Sequence, residues 1–218
     1  SFGFLFRSIF ASFAGVGAQN EGDAERLKKI GCRSEAIRIA GNLKFDAAQL
    51  NERKSLDVPS LLKQLGVPAN ARILVAGSTH AGEEKFLAGQ FLRLRKIFPD
   101  LLFVLVPRHF ERARDVGREL ESCGAKFVYC TEIADKKFAP GEVDCLLVNT
   151  TGELKLFYEH ATVIFVGKSL TAKGGQNPIE PGALGKAMVF GPNMQNFADV
   201  TREFLSANGA IQARNPTE

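Results

Sequence analysis

Residues 73–106, ILVAGSTHAGEEKFLAGQFLRLRKIFPDLLFVLV, decide the fold class. The run opens with ILVA (73–76), apolar at every position, which marks a strand covered on both faces rather than one alternating with solvent. GSTHAGEE (77–84) then breaks the pattern with a junction in which Ser78 or Thr79 is placed to cap a helix. Leu87, Phe91, Leu94 and Phe98 fall on one face of that helix, and LLFVLV (101–106) is a second wholly apolar strand. Two such strands joined by an amphipathic helix make a parallel unit, because parallel neighbours need a crossover of this length.

The alternation continues downstream. Phe110, Ala113, Val116 and Leu120 line a helix stopped by Gly124, and KFVYC (126–130) and DCLLVN (144–149) read as strands. Leu154, Phe157, Tyr158 and Ala161 line another helix. TVIFV (162–166), a glycine-rich turn, a short helix from Pro178, AMVF (187–190) and a helix from Asn196 complete the series. The expected fold is α/β, a Rossmann-like doubly wound parallel sheet whose ligands bind beyond the carboxyl ends of the strands.

Upstream, VGAQ, NEGDAERLKKIG and AIRIAG read as strand, helix and strand, with Asn20 or Asp23 capping the helix and Gly31 ending it. Residues 46–70, containing Pro59 and Pro68, read as a linker carrying a short helix around Ser60 to Leu65. The expected division is therefore 1–45, a linker over 46–70, and a main domain over 71–218. In the first eighteen residues Phe2, Leu5, Phe6, Ile9, Phe10 and Phe13 recur at helical spacing. Arg7 interrupts the run and it is too short to span a bilayer, so this helix is expected to pack on protein, with lying on a membrane surface as the alternative. The chain stops at Asn215-Pro216-Thr217-Glu218, where a further helix could begin, and a truncated C-terminus is expected.

Composition bounds the function. With 218 residues, 45% of them hydrophobic, the chain can bury a full core. A net charge of +4 favours an anionic ligand but falls far short of a nucleic-acid-binding signature. Cys32, Cys123, Cys130 and Cys145 form no CxxC pair and no zinc spacing. No D-x-D or H-E-x-x-H occurs, so neither a catalytic metal nor another cofactor is expected.

Four strand-to-helix junctions carry candidate chemistry. In Gly77 to Glu84 the dinucleotide fingerprint G-x-G-x-x-G is absent, which argues against a redox enzyme; Ser78 is a candidate phosphate or sugar contact. In Pro107-Arg108-His109 the arginine fork suits a phosphate or carboxylate, whereas Arg112, Arg114 and Arg118 read as a solvated face paired with Glu111, Asp115 and Glu119. Thr150-Thr151-Gly152-Glu153 fits a capping box through Thr150 and Glu153, or a phosphate held by backbone N–H groups at Gly152. In Gly167 to Pro181, Asn177 is placed as N-cap, Pro178 at the first helical position and Glu180 at the third. That local logic leaves Gly174, Gly175, Lys168, Lys173 and Gln176 unexplained, and nucleotide binding is the expectation here.

The segments AQNEGDAERLKKIG, GNLKFD, ILVAGSTHAGEE, VPRHFERA, TGELKLFYEHATVIFVGKSL and GGQNPIEPGALGKAMVFGPNMQNF, in this order, resemble the 3-deoxy-D-manno-octulosonic acid (Kdo) transferases of lipid A biosynthesis, which are GT-B glycosyltransferases. The resemblance implies two Rossmann-like domains, a lipid A precursor bound by the first and CMP-Kdo by the second. Residues 1–45 then correspond to the tail of the acceptor domain and 71–218 to the donor-binding C-terminal half of the GT-B fold. Donor contacts would fall on Pro107, Arg108, Thr151, Gly152, Glu153, Asn177, Pro178, Ile179 and Glu180, with Gly174 and Gly175 letting backbone approach the ligand. The family's catalytic glutamate and its N-terminal membrane anchor have no counterpart in this sequence, so no catalytic residue is expected here and the chain alone is expected to bind donor without turnover. The full-length enzyme would work at the cytoplasmic face of the bacterial inner membrane, and this piece would be soluble. Gln176, Asn149 and Lys168 stand where His, Asp and Gly are common in the family. Two other readings stay open, a GT-B transferase using a UDP-sugar and a non-catalytic nucleotide-sugar-binding module.

Overall fold

The computed structural model describes residues 3–41, 56–134 and 136–214, which form two compact units, 1–52 and 53–218. Phe2, the side chain of Leu5, the 45/46 boundary and residues 215–218 lie outside what is described.

In the first unit, α1 (Gly3–Ala11) precedes a parallel pair, β1 (Val16–Ala18) and β2 (Ile37–Ile39), joined through α2 (Glu21–Ile30). The Asn20 side chain accepts the Asp23 N–H, and Gly31 closes α2 in the left-handed region at φ 113°. Ala18, Ala24, Cys32 and Ile37 make a small core against which Phe10, Val16 and Leu27 pack. Phe6 and Ile9 remain about half exposed, each at 52%.

The second unit is a seven-stranded, wholly parallel sheet. In chain order it contains α3 (Val58–Gln64), β3 (Ile73–Thr79), α4 (Glu83–Arg95), β4 (Leu102–Pro107), α5 (Ala113–Cys123), β5 (Phe127–Tyr129), β6 (Cys145–Leu147), α6 (Leu154–His160), β7 (Val163–Val166), α7 (Ile179–Ala183), β8 (Ala187–Phe190), α8 (Ala198–Ser206) and β9 (Ala210–Gln212). The strand order is β5-β6-β4-β3-β7-β8-β9. β3 and β4 pair from Ile73 with Leu102 to Thr79 with Pro107, and β3 and β7 from Leu74 with Val163 to Gly77 with Val166.

Alternation along the strands sorts side chains to two faces. Phe103, Leu105, Ala76, Cys145 and Leu147 meet Leu87, Phe91, Val116 and Leu120 of α4 and α5. Val104, Val106, Val75, Leu146, Ile164 and Val166 meet Phe157 and Tyr158 of α6 and Val58, Leu61 and Leu65 in and just after α3. Residues 58–65, within the span read as a linker, thus contribute to this core. Covering both faces is what makes the apolar runs continuous. The expected doubly wound sheet is present, with β9 added at the edge. Its Ile211 is 67% exposed, so no buried run announces it.

Two expected helix starts differ and a third holds. Gly82, not Ser78 or Thr79, precedes α4, and it contributes no side-chain cap. Thr79 is instead buried, its hydroxyl donating to Glu84 at 3.3 Å. Helix α6 begins at Leu154 with Glu153 as its N-cap, so Thr150 and Glu153 do not form a capping box; the Thr150 hydroxyl donates directly to the Glu153 carboxylate. At α7 the assigned start is Ile179, but Pro178 is already helical (φ −86°, ψ −5°) and Asn177 Oδ1 accepts the Ile179 N–H at 3.1 Å. Asn177 therefore caps as expected.

Candidate donor site

All strands being parallel, the junctions after β3, β4, β6, β7 and β8 open at one edge of the sheet, and neighbouring strands bring them side by side. Gly152 follows β6, Arg108 follows β4 beside it, Ser78 closes β3 next in line, and Asn177 follows β7. Helices α6 and α7 lie against each other. Arg108, Gly152 and Asn177 thus belong to one edge, and the direction of winding reverses between β3 and β7, whose junction carries Asn177.

The β4 junction is exposed. Pro107 is buried at the strand end, while Arg108, His109 and Phe110 face solvent. The Arg108 N–H donates to the Thr79 carbonyl at 3.0 Å, and among the described residues its guanidinium meets no acid. Arg112 behaves differently from the expected solvated face: its Nη1 donates to Glu84 Oε1 at 2.8 Å, and Glu84 is fully buried. This partner holds the Arg112 guanidinium above its ordinary pKa. Glu84 Oε2 has no hydrogen-bond partner among the described residues. The ion pair bridges residues 28 positions apart, which no local pattern could reveal. Arg118 does sit exposed with Asp115.

The β6 junction presents Thr151 and Gly152 at the surface, Gly152 in the left-handed region at φ 84°, and Glu153 half-buried. Asn149 is spent on Thr131, donating to its hydroxyl at 2.8 Å and accepting its N–H at 3.2 Å. Helices α6 and α7 have seven and five residues, so any attraction for an anion comes from first-turn N–H groups rather than from a long dipole.

The β7 junction is held from two sides, and the residue that does most of this was missed in the sequence. Glu83, fully buried in the first turn of α4, accepts four backbone N–H groups. Oε1 takes those of Ser169 and Leu170, each at 2.9 Å; Oε2 takes Lys168 at 2.7 Å and His80 at 2.9 Å. On the other side, buried Ser169 donates to the Val166 carbonyl and accepts the Gly191 N–H, and Gln195 Oε1 accepts the Gly174 N–H at 2.8 Å. The only signal for Glu83 was an acid three residues after His80, at the opening of a helix.

This packing also explains the glycines. A Cβ on Gly174 would lie 2.8 Å from Asn196 Nδ2, and one on Gly175 2.5 Å from the Met194 sulfur; both residues have positive φ. The pair is buried against the β8–α8 loop, which accounts for it without a ligand. Gly77 is likewise required by Tyr158, whose hydroxyl would lie 2.0 Å from an added Cβ. Two non-glycine residues adopt left-handed backbone on facing strand ends, Ser78 at φ 54° and Lys168 at φ 55°. Ser78 is the unpaired residue where the β3–β4 register shifts, a bulge of the kind found beside functional sites. A glycine at position 168 would suit that backbone better than lysine. Asn177 Nδ2 lies 3.4 Å from Glu180 Oε1, Pro178 and Ile179 are buried, and Glu180 is half-buried.

A family model described as 3-deoxy-D-manno-octulosonic-acid transferase matches residues 1–47. The 3-deoxy-D-manno-octulosonic acid transferase of Rickettsia prowazekii is 30% identical over 211 residues, covering 97% of this chain and 44% of that protein. Among solved structures, the C-terminal CMP-Kdo binding domain of WaaA from Acinetobacter baumannii is 26% identical with a TM-score of 0.64, covering 80% of this chain and 84% of that one. The chain belongs to the Kdo transferase family. Its second unit has the fold of a GT-B C-terminal domain. A bifunctional glycosyltransferase/methyltransferase of Fusobacterium nucleatum is 28% identical over 215 residues, 99% of this chain and 32% of that protein. The chain therefore spans less than half the length of these two relatives.

Proposed function

We propose that this chain is the donor-binding part of a Kdo transferase, which moves Kdo from CMP-Kdo to a lipid A precursor. The observation that carries the reading is its likeness to a domain named for CMP-Kdo binding, covering 84% of that domain. The exposed Arg108 and the N–H groups around Gly152 and Asn177, at one edge of the sheet, support it chemically. As an acceptor hydroxyl displaces CMP, negative charge grows on the departing phosphate. A guanidinium and pre-aimed N–H donors stabilise that charge as it forms. Glu180, held by Asn177, suits the ribose hydroxyls, with Thr151, Glu153, Pro178 and Ile179 shaping the nucleotide pocket around it.

Residues 1–45 would be the tail of the acceptor domain, which would supply the general base. The full-length protein would act at the cytoplasmic face of the bacterial inner membrane; no described helix is long and apolar enough to cross a membrane. Titration calorimetry with CMP, UMP and UDP tests the donor reading. Heat with CMP and weaker binding of the uridine nucleotides is expected. Preference for UDP would favour a UDP-sugar transferase, and folded protein that binds none of the three would overturn the proposal. Incubation of this chain alone with CMP-Kdo and a lipid A precursor is expected to give no transfer.

A further inference from the structure

The proposed donor is an octulosonic acid, so it carries a carboxylate besides the phosphate of CMP, and Arg108, Gly152 and Asn177 account only for the phosphate. Resting on that donor reading, we infer that His80, His109 and Lys168 form a separate subsite for the sugar carboxylate. His80 follows β3, His109 follows β4 and Lys168 follows β7, so three adjacent strands deliver them to the same edge. The two imidazoles stand edge to face with centroids 5.8 Å apart. His80 Nδ1 lies 3.2 Å from the Ser78 carbonyl oxygen. A carbonyl can only accept, so Nδ1 carries the hydrogen and Nε2 is the atom left to gain a proton and donate to a ligand.

The charged groups acting on His80 are Glu83 from α4, Lys168 from the β7 junction and His109 from the β4 junction. Glu83 is the one acid among them, and both its oxygens are committed to backbone N–H groups. What remains facing outward is cationic or able to become so, with Arg108 next along the chain from His109. The amides of residues 168–170 are closed to an external anion because Glu83 already occupies them. An incoming carboxylate must therefore be met by side chains. Left-handed backbone occurs at Lys168 itself and at Ser78, two residues before His80.

Histidine NMR tests this on the chain as it stands. The protein has three histidines, and His160, at the end of α6, is the internal control. The Cε1–Hε1 resonances are followed against pH in the free protein, with CMP and with CMP-Kdo. Expected is a rise of about one unit in the midpoints of His80 and His109 with CMP-Kdo but not with CMP, while His160 stays put. Equal midpoints with both ligands, when both bind, overturn the subsite and leave the donor reading standing. Failure of either nucleotide to move any backbone amide overturns the donor reading itself. The double variant His80→Gln, His109→Gln is expected to bind CMP like wild type and to lose the extra affinity for CMP-Kdo. A parallel loss of CMP affinity would assign the pair to the nucleotide or the fold and overturn the inference.

Discussion

The β7–α7 and β4–α5 junctions stand at the same edge of the sheet, and the chain treats them in opposite ways. The first is stitched to its neighbours through Glu83, Ser169 and Gln195. The second leaves the Arg108 and His109 side chains in solvent and is fixed at its two ends, where the Arg108 N–H meets the Thr79 carbonyl and Arg112 reaches Glu84. Conserving shape in one loop and offering charge in the other separates two jobs that a sequence motif blends together. Rigid donors cost little reorganisation when a ligand arrives, whereas an unpaired guanidinium is what the ligand's charge can recruit.

The sharpest way to break this contrast is Glu83→Ala. It strands buried N–H groups of residues 168, 169 and 170, and a loss of about 3–5 kcal/mol in urea denaturation is expected. Arg112→Ala is next, leaving Glu84 buried without its cation; because Arg112 is partly exposed, the expected cost is about 2 kcal/mol. Arg108→Ala is expected to shift stability by less than about 0.5 kcal/mol while weakening CMP binding roughly tenfold or more by calorimetry. If it destabilises as much as Arg112→Ala, the two junctions are not different in kind. Lys168→Gly relieves left-handed backbone and is expected to stabilise by about 0.5–1 kcal/mol.

The smallest effect concerns pH. Burial lowers the pKa of His80 below its ordinary value, outweighing the carbonyl of Ser78 and Glu83. The unfolded chain then binds the proton more readily, so stability from neutral His80 is present above the ordinary histidine range and lost as pH falls through the lowered value. Melting temperature should drop slightly more for wild type than for His80→Gln between about pH 7.5 and 5.

The layered fold was legible because Phe103 to Val106, Ile164 to Val166 and Met188 to Phe190 are apolar wherever both faces are covered. β9 was not, since a three-residue edge strand with an exposed Ile211 leaves no run to read. Asn20, Gly31 and Asn177 were readable as caps because capping is local. Thr150 and Glu153 had the right spacing, but the helix starts only after Glu153 and their side chains bond each other, so a pattern matched while its geometry did not. Glu83 and Glu84 escaped because their partners are distant in sequence, and the spacing of charges along one helix carries no information about them. Gly174 and Gly175 were credited to a ligand when the neighbouring loop already demands them.

The anchored guanidinium of Arg112 has a use in engineering. With Pro107 embedded at one end and Arg112 tethered at the other, residues 108 to 111 form a short removable cassette on a stiff frame. Chimaeras that swap this cassette between homologues, and nothing else, should retune anion preference without any repacking of the interior.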